Sequence, residues 1–502
     1  MEHFGLLSLI PPILAIGLAL ITKEVISSLV IASFVGLVIY SNGSLLGAFT
    51  EFFDLMAAEI TDGAYIIIFL CLCGAVVSVV SKSGGAAAYG EWANKRIKSK
   101  FSAIASTSVL GMLIFVDDYF NCMTVGTVMS PITDRFKISR VKLAYVIDAT
   151  AAPICALIPI SSLAAYAMSI GADAGLGGSS LSVYLSSLPF NLYTIVTLIM
   201  IFFMAKFGLD FGKMAEAERY AEKTGDLGIL NPIEVESGKK GTLADLIVPI
   251  VTMVGVTFLG IFYTGGMFEG ATMVQSFADA DINKALTYGA TAALVIALCM
   301  YLPRKLMTFT EFFAAMSDGF KMLLDGIVIT VLAKCIGSVC KTYLGTGAFV
   351  SEAVINSNFP LWLMPAILFL TATGIAFATG TSWGTFAMML PIAISISEAS
   401  PALLAITVAS VVTGGIAGDH CSPISDTTIL SSSGANVNHI SHVNTQLPYA
   451  GLMIVVSFVG YLVAGLTKSA ILSLVVTTGL MIVSVWFLSK RDAAKAAAAE
   501  NK

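Results

Sequence analysis

Long apolar stretches recur along this 502-residue chain, and they restrict its fold more than any other feature. A helix needs about 20 mostly apolar residues to cross the roughly 30 Å hydrocarbon core of a bilayer. The stretches lie at approximately 5–21, 24–41, 62–81, 142–170, 187–207, 243–264, 285–302, 320–340, 402–430, 449–466 and 469–488. Because the backbone finds no hydrogen-bond partner in lipid, such stretches form helices. We predict an all-α polytopic membrane protein.

The composition agrees with lipid as the solvent. Hydrophobic residues make up 57% of the chain and charged residues 12%, whereas soluble domains are roughly a quarter charged. The net charge of −5 gives no basic face for nucleic acid. The eight cysteines form no CxxC pair, which argues against a zinc site. We expect that the protein is not an enzyme and that it binds no transition metal and no cofactor.

Two further apolar regions, 101–133 and 361–398, are interrupted by polar or glycine-rich centres. The centres are Asp117–Asn121 and Thr379–Thr385. Irregular backbone at membrane depth persists only inside protein or beside a wet cavity. We predict that each region is a re-entrant helical hairpin with its tip at the polar centre.

An internal repeat divides the chain. The letters FTEFF at Phe49–Phe53 return at Phe309–Phe313, and the same offset aligns the two hairpin centres. Each half then holds five spans and one hairpin, and an odd number of spans inverts one half relative to the other. Inverted repeats with broken helices are typical of secondary transporters. The predicted units are 1–207 (first repeat, broken helix about 142–170), 208–242 (cytoplasmic linker), 243–466 (second repeat, broken helix about 402–430) and 467–502 (extra C-terminal helix and tail).

Lysine and arginine placement predicts the orientation. Basic residues lie on both sides of the first hairpin, at 95–100 and 135–142, and also in the linker 208–242. Loops 42–61 and 171–186 have none, which suits the outside. We predict a bacterial inner-membrane protein with its N-terminus outside and its C-terminus in the cytoplasm. Lys341 and Lys468 fall on the predicted outer side and count against this orientation.

Polar groups at the predicted breaks are candidate ligands. A carboxylate inside a membrane is costly and therefore points to function, and Na+, as a hard cation, prefers oxygen ligands. Neighbouring helical residues face different ways, so we expect only one of Asp117 and Asp118 to line the site. The predicted ion- or substrate-binding residues are Asp117, Asp118, Asn121, Thr124, Asp148, Ser161, Thr381, Ser382, Asp419, Ser422, Ser425, Asp426 and Thr427.

The segment Gly418–Thr428 is the richest in polar groups, with two carboxylates, His420 and a proline within eleven residues. This segment resembles the NhaC family of sodium/proton antiporters. His439, His442 and the stretches 445–450, 380–385 and 115–119 are also similar to that family. The resemblance implies two hairpins, two broken helices and an elevator-like motion. It also covers members that look like carriers of carboxylates or amino acids with Na+.

The leading hypothesis is Na+/H+ antiport by alternating access, with Na+ and H+ as the transported ions. A Na+-coupled symporter or exchanger of a small carboxylate or amino acid stays open. An ion channel is a weaker alternative, because a passive pore needs no dense titratable cluster. An intramembrane hydrolase would need a nucleophile and a base within reach. Elevator-like proteins are often dimers, so a homodimer also stays open.

Overall fold

The computed structural model describes residues 4–22, 24–176, 179–229, 241–346, 349, 360–398 and 400–500. Throughout these ranges the chain is helical and no strand forms; Ile229 and Val437 share an isolated bridge. Nine helices in the described ranges are long and apolar enough to cross a membrane, or ten if one bent pair counts as a span. The predicted class, an all-helical polytopic membrane protein, is confirmed.

Thirteen described helices precede residue 230. They are α1 (Ile10–Thr22), α2 (Val25–Tyr40), α3 (Leu45–Asp62), α4 (Ala64–Ser81), α5 (Gly85–Arg96), α6 (Lys100–Leu113), α7 (Asp118–Arg135), α8 (Arg140–Ala149), α9 (Ala152–Leu157), α10 (Ser162–Gly171), α11 (Ser180–Ser187), α12 (Leu192–Phe207) and α13 (Gly212–Thr224). The first predicted hairpin thus corresponds to α6 and α7, and the first predicted broken helix to α8, α9 and α10.

Eleven described helices follow residue 240. They are α14 (Leu243–Thr264), α15 (Met273–Ala278), α16 (Ile282–Tyr301), α17 (Phe309–Met322), α18 (Leu324–Ser338), α19 (Met364–Thr379), α20 (Ser382–Ser397), α21 (Leu404–Cys421), α22 (Asp426–Gly434), α23 (His439–Thr467) and α24 (Ala470–Glu500). The second predicted hairpin corresponds to α19 and α20, and the second predicted broken helix to α21 and α22.

Local sequence explains the breaks. Pro153 lies in the first turn of α9, and a proline ring cannot continue the hydrogen-bond ladder of a preceding helix. Pro423 follows the end of α21 in the same way, and the Ser425 hydroxyl then accepts the Thr428 N–H to begin α22. The chain from α8–α9 to α10 bends by 43°. These breaks direct several helix ends into the interior.

Two predicted loops are in fact largely helical. The region 42–61 contains most of α3, whose first turn is capped by the Ser44 hydroxyl. The helix is amphipathic, so it carries no continuous apolar run, and the prediction from apolar length was wrong there. The region 171–186 contains most of α11. In the linker, 212–224 forms α13, and 230–240 lies outside the described residues.

The linker helix α13 is fastened to the bundle by Glu218, which is buried. A Glu218 carboxylate oxygen accepts the Ser139 N–H at 2.7 Å, immediately before α8. Its other oxygen lies 2.8 Å from Lys100 Nζ and 3.7 Å from Lys142 Nζ. This segment therefore clamps the starts of α6 and α8, and 212–224 is not merely a solvated connector.

Helices α4 and α17 cross at Gly74 and Gly319. A Cβ atom on Gly74 would lie 2.2 Å from the Gly319 carbonyl oxygen, and one on Gly319 would lie 2.1 Å from that of Gly74. Only residues without a side chain permit this approach. The two helices therefore touch backbone to backbone.

Candidate functional site

The tip of the first hairpin is the break at 114–117 between α6 and α7. Asn121, one turn into α7, holds this break in place. Its Nδ2 group points at three carbonyl oxygens, those of Gly111 at 2.7 Å, Ile114 at 3.1 Å and Thr150 at 3.0 Å. The Asn121 amide thus ties the end of α6 to the break after α8, while its Oδ1 atom is buried without a described partner.

Both aspartates of this tip are buried, with 0% of Asp117 and 1% of Asp118 exposed. An Asp117 oxygen accepts the Ser162 hydroxyl at 3.1 Å, at the start of α10. An Asp118 oxygen accepts the Tyr119 N–H at 3.1 Å. We expected only one of the two to line the site, because adjacent residues of a helix face different ways. That argument does not apply here, because Asp117 precedes α7.

The tip of the second hairpin turns at Gly380, between α19 and α20. Its φ of +72° lies in the left-handed region, and a Cβ there would lie 2.5 Å from the Ile424 carbonyl oxygen. Glycine therefore fits where other residues would be strained and would clash. The Ser422 hydroxyl donates to the Phe377 carbonyl at 2.7 Å. The hairpin tip and the break between α21 and α22 are thus in contact.

Asp419, near the end of α21, joins the second tip to the second broken helix. One carboxylate oxygen accepts the Ser382 N–H at 3.1 Å, at the start of α20. The other accepts the Ser425 hydroxyl at 2.6 Å, and the Ser425 and Thr427 hydroxyls are 3.0 Å apart. Only 3% of Asp419 is exposed.

The first tip and the second broken helix come together through their carboxylates. Asp118 is close enough to Asp117 and Asp419 for their charges to interact. Among the residues that the structure describes, no lysine or arginine forms an ion pair with Asp118 or Asp419. Buried carboxylates this close cannot all stay ionised unless cations or protons compensate them. We refer to Asp117, Asp118 and Asp419 as the carboxylate cluster.

In the described ranges, no three His, Cys, Asp or Glu side chains surround a common point at metal distance. A cation at the carboxylate cluster would therefore take part of its coordination from neutral oxygens. Two such oxygens, Ser382 Oγ and Asn121 Oδ1, are buried and have no described partner. This oxygen-rich set suits a hard cation.

Other predicted residues have different positions. Asp426 begins α22 but is exposed, which corrects the expectation that it lies buried in a membrane helix. Its carboxylate accepts the Tyr119 hydroxyl at 3.4 Å. Ser161 caps α10 and donates its hydroxyl to the Cys155 carbonyl at 2.5 Å. Thr124 is buried on α7, and Thr381 is half-buried at the second tip.

Asp148 lies in a different set of contacts. Its Oδ2 atom accepts from Gln446 Nε2 at 2.7 Å and from the Thr428 hydroxyl at 3.1 Å. His442 Nε2 lies 3.6 Å from the same atom. The Gln446 amide also donates to the His420 carbonyl. Asp148, His442 and Gln446 form what we call the histidine cluster.

Sequence reasoning missed three of these side chains. Tyr119 interacts with all the aspartates of the carboxylate cluster and with Asp426, yet a tyrosine beside an aspartate pair is unremarkable in a sequence. The sequence suggested that His442 is an ordinary loop residue or a weak pH sensor rather than a ligand, but it is fully buried near the start of α23. Gln446, one turn later, gave a signal only through the family resemblance.

Residues 380–384 also match the GxSxG pattern of hydrolase nucleophiles. That pattern acts on a sharp turn from a strand into a helix, where a histidine activates the serine. Here the turn joins two helices, and the Ser382 hydroxyl has no described hydrogen-bond partner. The surroundings therefore differ from those of a nucleophile elbow.

The sequence profile of the Na+/H+ antiporter family matches residues 170–466, more than half of the chain. The chain belongs to the Na+/H+ antiporter family. This match includes the second hairpin, both halves of the second broken helix and α23. The resemblance noted from the motifs is confirmed, and this family member is a multi-pass membrane protein and a secondary transporter.

Three individual proteins are similar to this antiporter-family chain. An uncharacterized protein of Haemophilus influenzae is 34% identical over 96% of this chain and 95% of its own length. The malate-2H+/Na+-lactate antiporter of Bacillus subtilis is 27% identical, but only over 36% of this chain and 43% of that protein. The solved YdaH transporter of Alcanivorax borkumensis has a TM-score of 0.59 at 11% identity, covering 83% of this chain and 88% of that one. The last likeness concerns the fold alone.

Proposed function

We propose that this protein exchanges Na+ for H+ by alternating access, and that Na+ binds at the carboxylate cluster. The observation that carries the proposal is the burial of Asp117, Asp118 and Asp419 at the meeting point of two helix breaks. Asp118 and Asp419 form no ion pair with a lysine or arginine in the described ranges, so these buried carboxylates need a mobile positive charge. Family membership supports Na+ as that charge and H+ as the ion exchanged for it.

The Na+ ligands that we propose are carboxylate oxygens of the cluster together with Ser382 Oγ and Asn121 Oδ1. Ser425 is not itself a proposed ligand, and its hydroxyl donates to the Asp419 carboxylate and holds it in place. Asp148 is not part of this ion site, because its contacts come from α22 and α23. Since at most 3% of any cluster carboxylate is exposed, the conformation described is closed around the site. Ion entry then requires one tip to separate from its broken helix.

We propose that the two hairpins are re-entrant and belong to inverted repeats. Support comes from the equivalent order of elements, in which each pair of hairpin helices is followed by a broken helix. The second helix of each hairpin also contains a proline, Pro131 in α7 and Pro391 in α20. We further propose that the hairpins and broken helices move together in an elevator-like way and that the protein forms a homodimer. We also propose that it lies in the inner membrane with its N-terminus outside.

The test is transport in proteoliposomes that contain a pH-sensitive dye. An inward Na+ gradient should drive protons out of wild-type vesicles, while choline should not. Asp419→Asn should abolish this exchange, because it removes a cluster charge while keeping the shape. Asp318→Asn, an exposed substitution on α17, is the matched control. Normal exchange by Asp419→Asn would refute the site.

A second candidate function is exchange of a small carboxylate. The Bacillus relative is named as a malate/lactate antiporter. Near the start of α20, Ser382 Oγ and Trp383 Nε1 are buried donors without a described partner, and helix N-termini attract anions. Na+-dependent exchange of radiolabelled lactate or malate would favour this function. Proton exchange driven by Na+ alone, without any solute, would favour the first.

A further inference from the structure

The histidine cluster concentrates unsatisfied polar atoms in the interior. Six buried atoms in the cluster and in the neighbouring Tyr145 and His420 have no described hydrogen-bond partner: Asp148 Oδ1, Gln446 Oε1, both ring nitrogens of His442, Tyr145 Oη and His420 Nε2. His442 and Asp148 are 0% and 1% exposed. Buried polar groups nearly always have a hydrogen-bond partner, and leaving such a group without one costs about 1–3 kcal/mol. Such a concentration indicates a site that works with protons or bound water.

The charged neighbours of His442 and Asp148 limit which ions these two side chains can bind. Besides Thr428 on α22 and Gln446 and His442 on α23, Asp148 interacts electrostatically with groups on four helices. They are His420 and Cys421 on α21, Tyr145 on α8, Cys122 on α7 and Tyr193 on α12. Asp419 on α21 is also within range, and Asp210 lies beyond Tyr145. No lysine or arginine forms an ion pair with Asp148 in the described ranges. The imidazole of His442, 3.6 Å from the carboxylate, is the nearest group that can bring a proton.

Physical links join this pair to the carboxylate cluster. Helix α22 is capped by Ser425, which donates to Asp419, and in its first turn carries Thr428, which donates to Asp148. The Gln446 amide connects Asp148 with the carbonyl of His420, the residue after Asp419. Asp148 and Asp419 are also close enough for their charges to interact. A cation at Asp419 would therefore disfavour a proton on the His442–Asp148 pair.

We propose that the His442–Asp148 pair is the proton-binding site of the transporter and is separate from the site that binds Na+. This inference rests on the proposed Na+/H+ exchange and adds to it. The two ions do not compete for one carboxylate. Na+ arrival instead expels the proton by charge repulsion and by movement of α22 and the Gln446 amide. The exchange is balanced, since one bound positive charge replaces another.

Purified protein in detergent tests this separation. In weakly buffered solution with a pH dye, Na+ should release about one proton per bound ion from wild type, while binding of radioactive 22Na+ is measured in parallel. His442→Gln and Asp148→Asn should still bind Na+ but release at least fivefold less proton. His439→Gln is the matched control, because His439 lies on the same helix and is only partly buried. It should behave like wild type.

The outcomes separate the two ideas. If wild type binds Na+ without releasing protons, the proposed exchange itself fails, and this inference with it. If wild type releases protons and both variants release as many, the ions share the carboxylate cluster and the separate site is refuted. Loss of Na+ binding in both variants, with monodisperse elution in size exclusion, would place the pair in the Na+ site and also refute it. Asp148→Asn keeps the test valid if His442→Gln does not fold.

Discussion

The amide of Asn121 offers a sharp test of how the first tip is held. Asn121→Ala removes two N–H donors that serve the carbonyls of Gly111, Ile114 and Thr150. All three contacts are buried, so water cannot replace the donors. Leaving a buried group unsatisfied costs about 1–3 kcal/mol, so losing two donors should lower the free energy of unfolding by about 2–6 kcal/mol. Na+ affinity should fall as well, because Asp117 and Asp118 depend on this tip.

Denaturant unfolding in detergent, followed by intrinsic fluorescence, measures the stability change, and 22Na+ binding measures the functional one. Asn191→Ala is the matched control. Asn191 is equally buried, but its amide makes a single 3.5 Å contact, with the Ala156 carbonyl. We expect that variant to lose about 1 kcal/mol or less. Equal losses in the two variants would refute the view that the Asn121 amide anchors the tip.

Two further substitutions test the packing. Gly380→Ala should abolish transport and lower stability, since the new Cβ would collide with the Ile424 carbonyl; Gly374→Ala on α19, where a Cβ meets nothing, should leave initial transport rates unchanged. Lys334→Met should lower the free energy of unfolding by about 3 kcal/mol, because it removes the cation that lies 2.7 Å from Asp173 and 3.8 Å from Glu59. The double variant with Asp173→Asn should recover part of that loss, since Glu59 still lacks its cation, and denaturant unfolding that shows no recovery would contradict the pairing.

The sequence predicted where the chain breaks. Prolines, glycines and aspartates stand out against apolar surroundings, so the breaks at 114–117, 380–381 and 422–425 could be located from local chemistry alone. The same contrast identified Asp117, Asp118 and Asp419 as candidates. The proximity of Asp419 to Asp117 and Asp118 could not be located from local chemistry, because it depends on how α21 packs against the first tip.

Other features depended on packing and were out of reach. Helix α3 has no long apolar run, so a search for apolar stretches of membrane-spanning length could not find it. Asp426 lies only seven residues after Asp419, yet the break at Pro423 turns it outward. His442 becomes buried because α23 rotates that face toward α8, and the rotation of one helix against another is not encoded in local spacing.

The crossing of α4 and α17 has a consequence for packing. Any side chain at Gly74 or Gly319 would meet the backbone of the facing helix and push α4 and α17 apart. These two glycines therefore set how closely a helix of the first part of the chain can approach one of the second part.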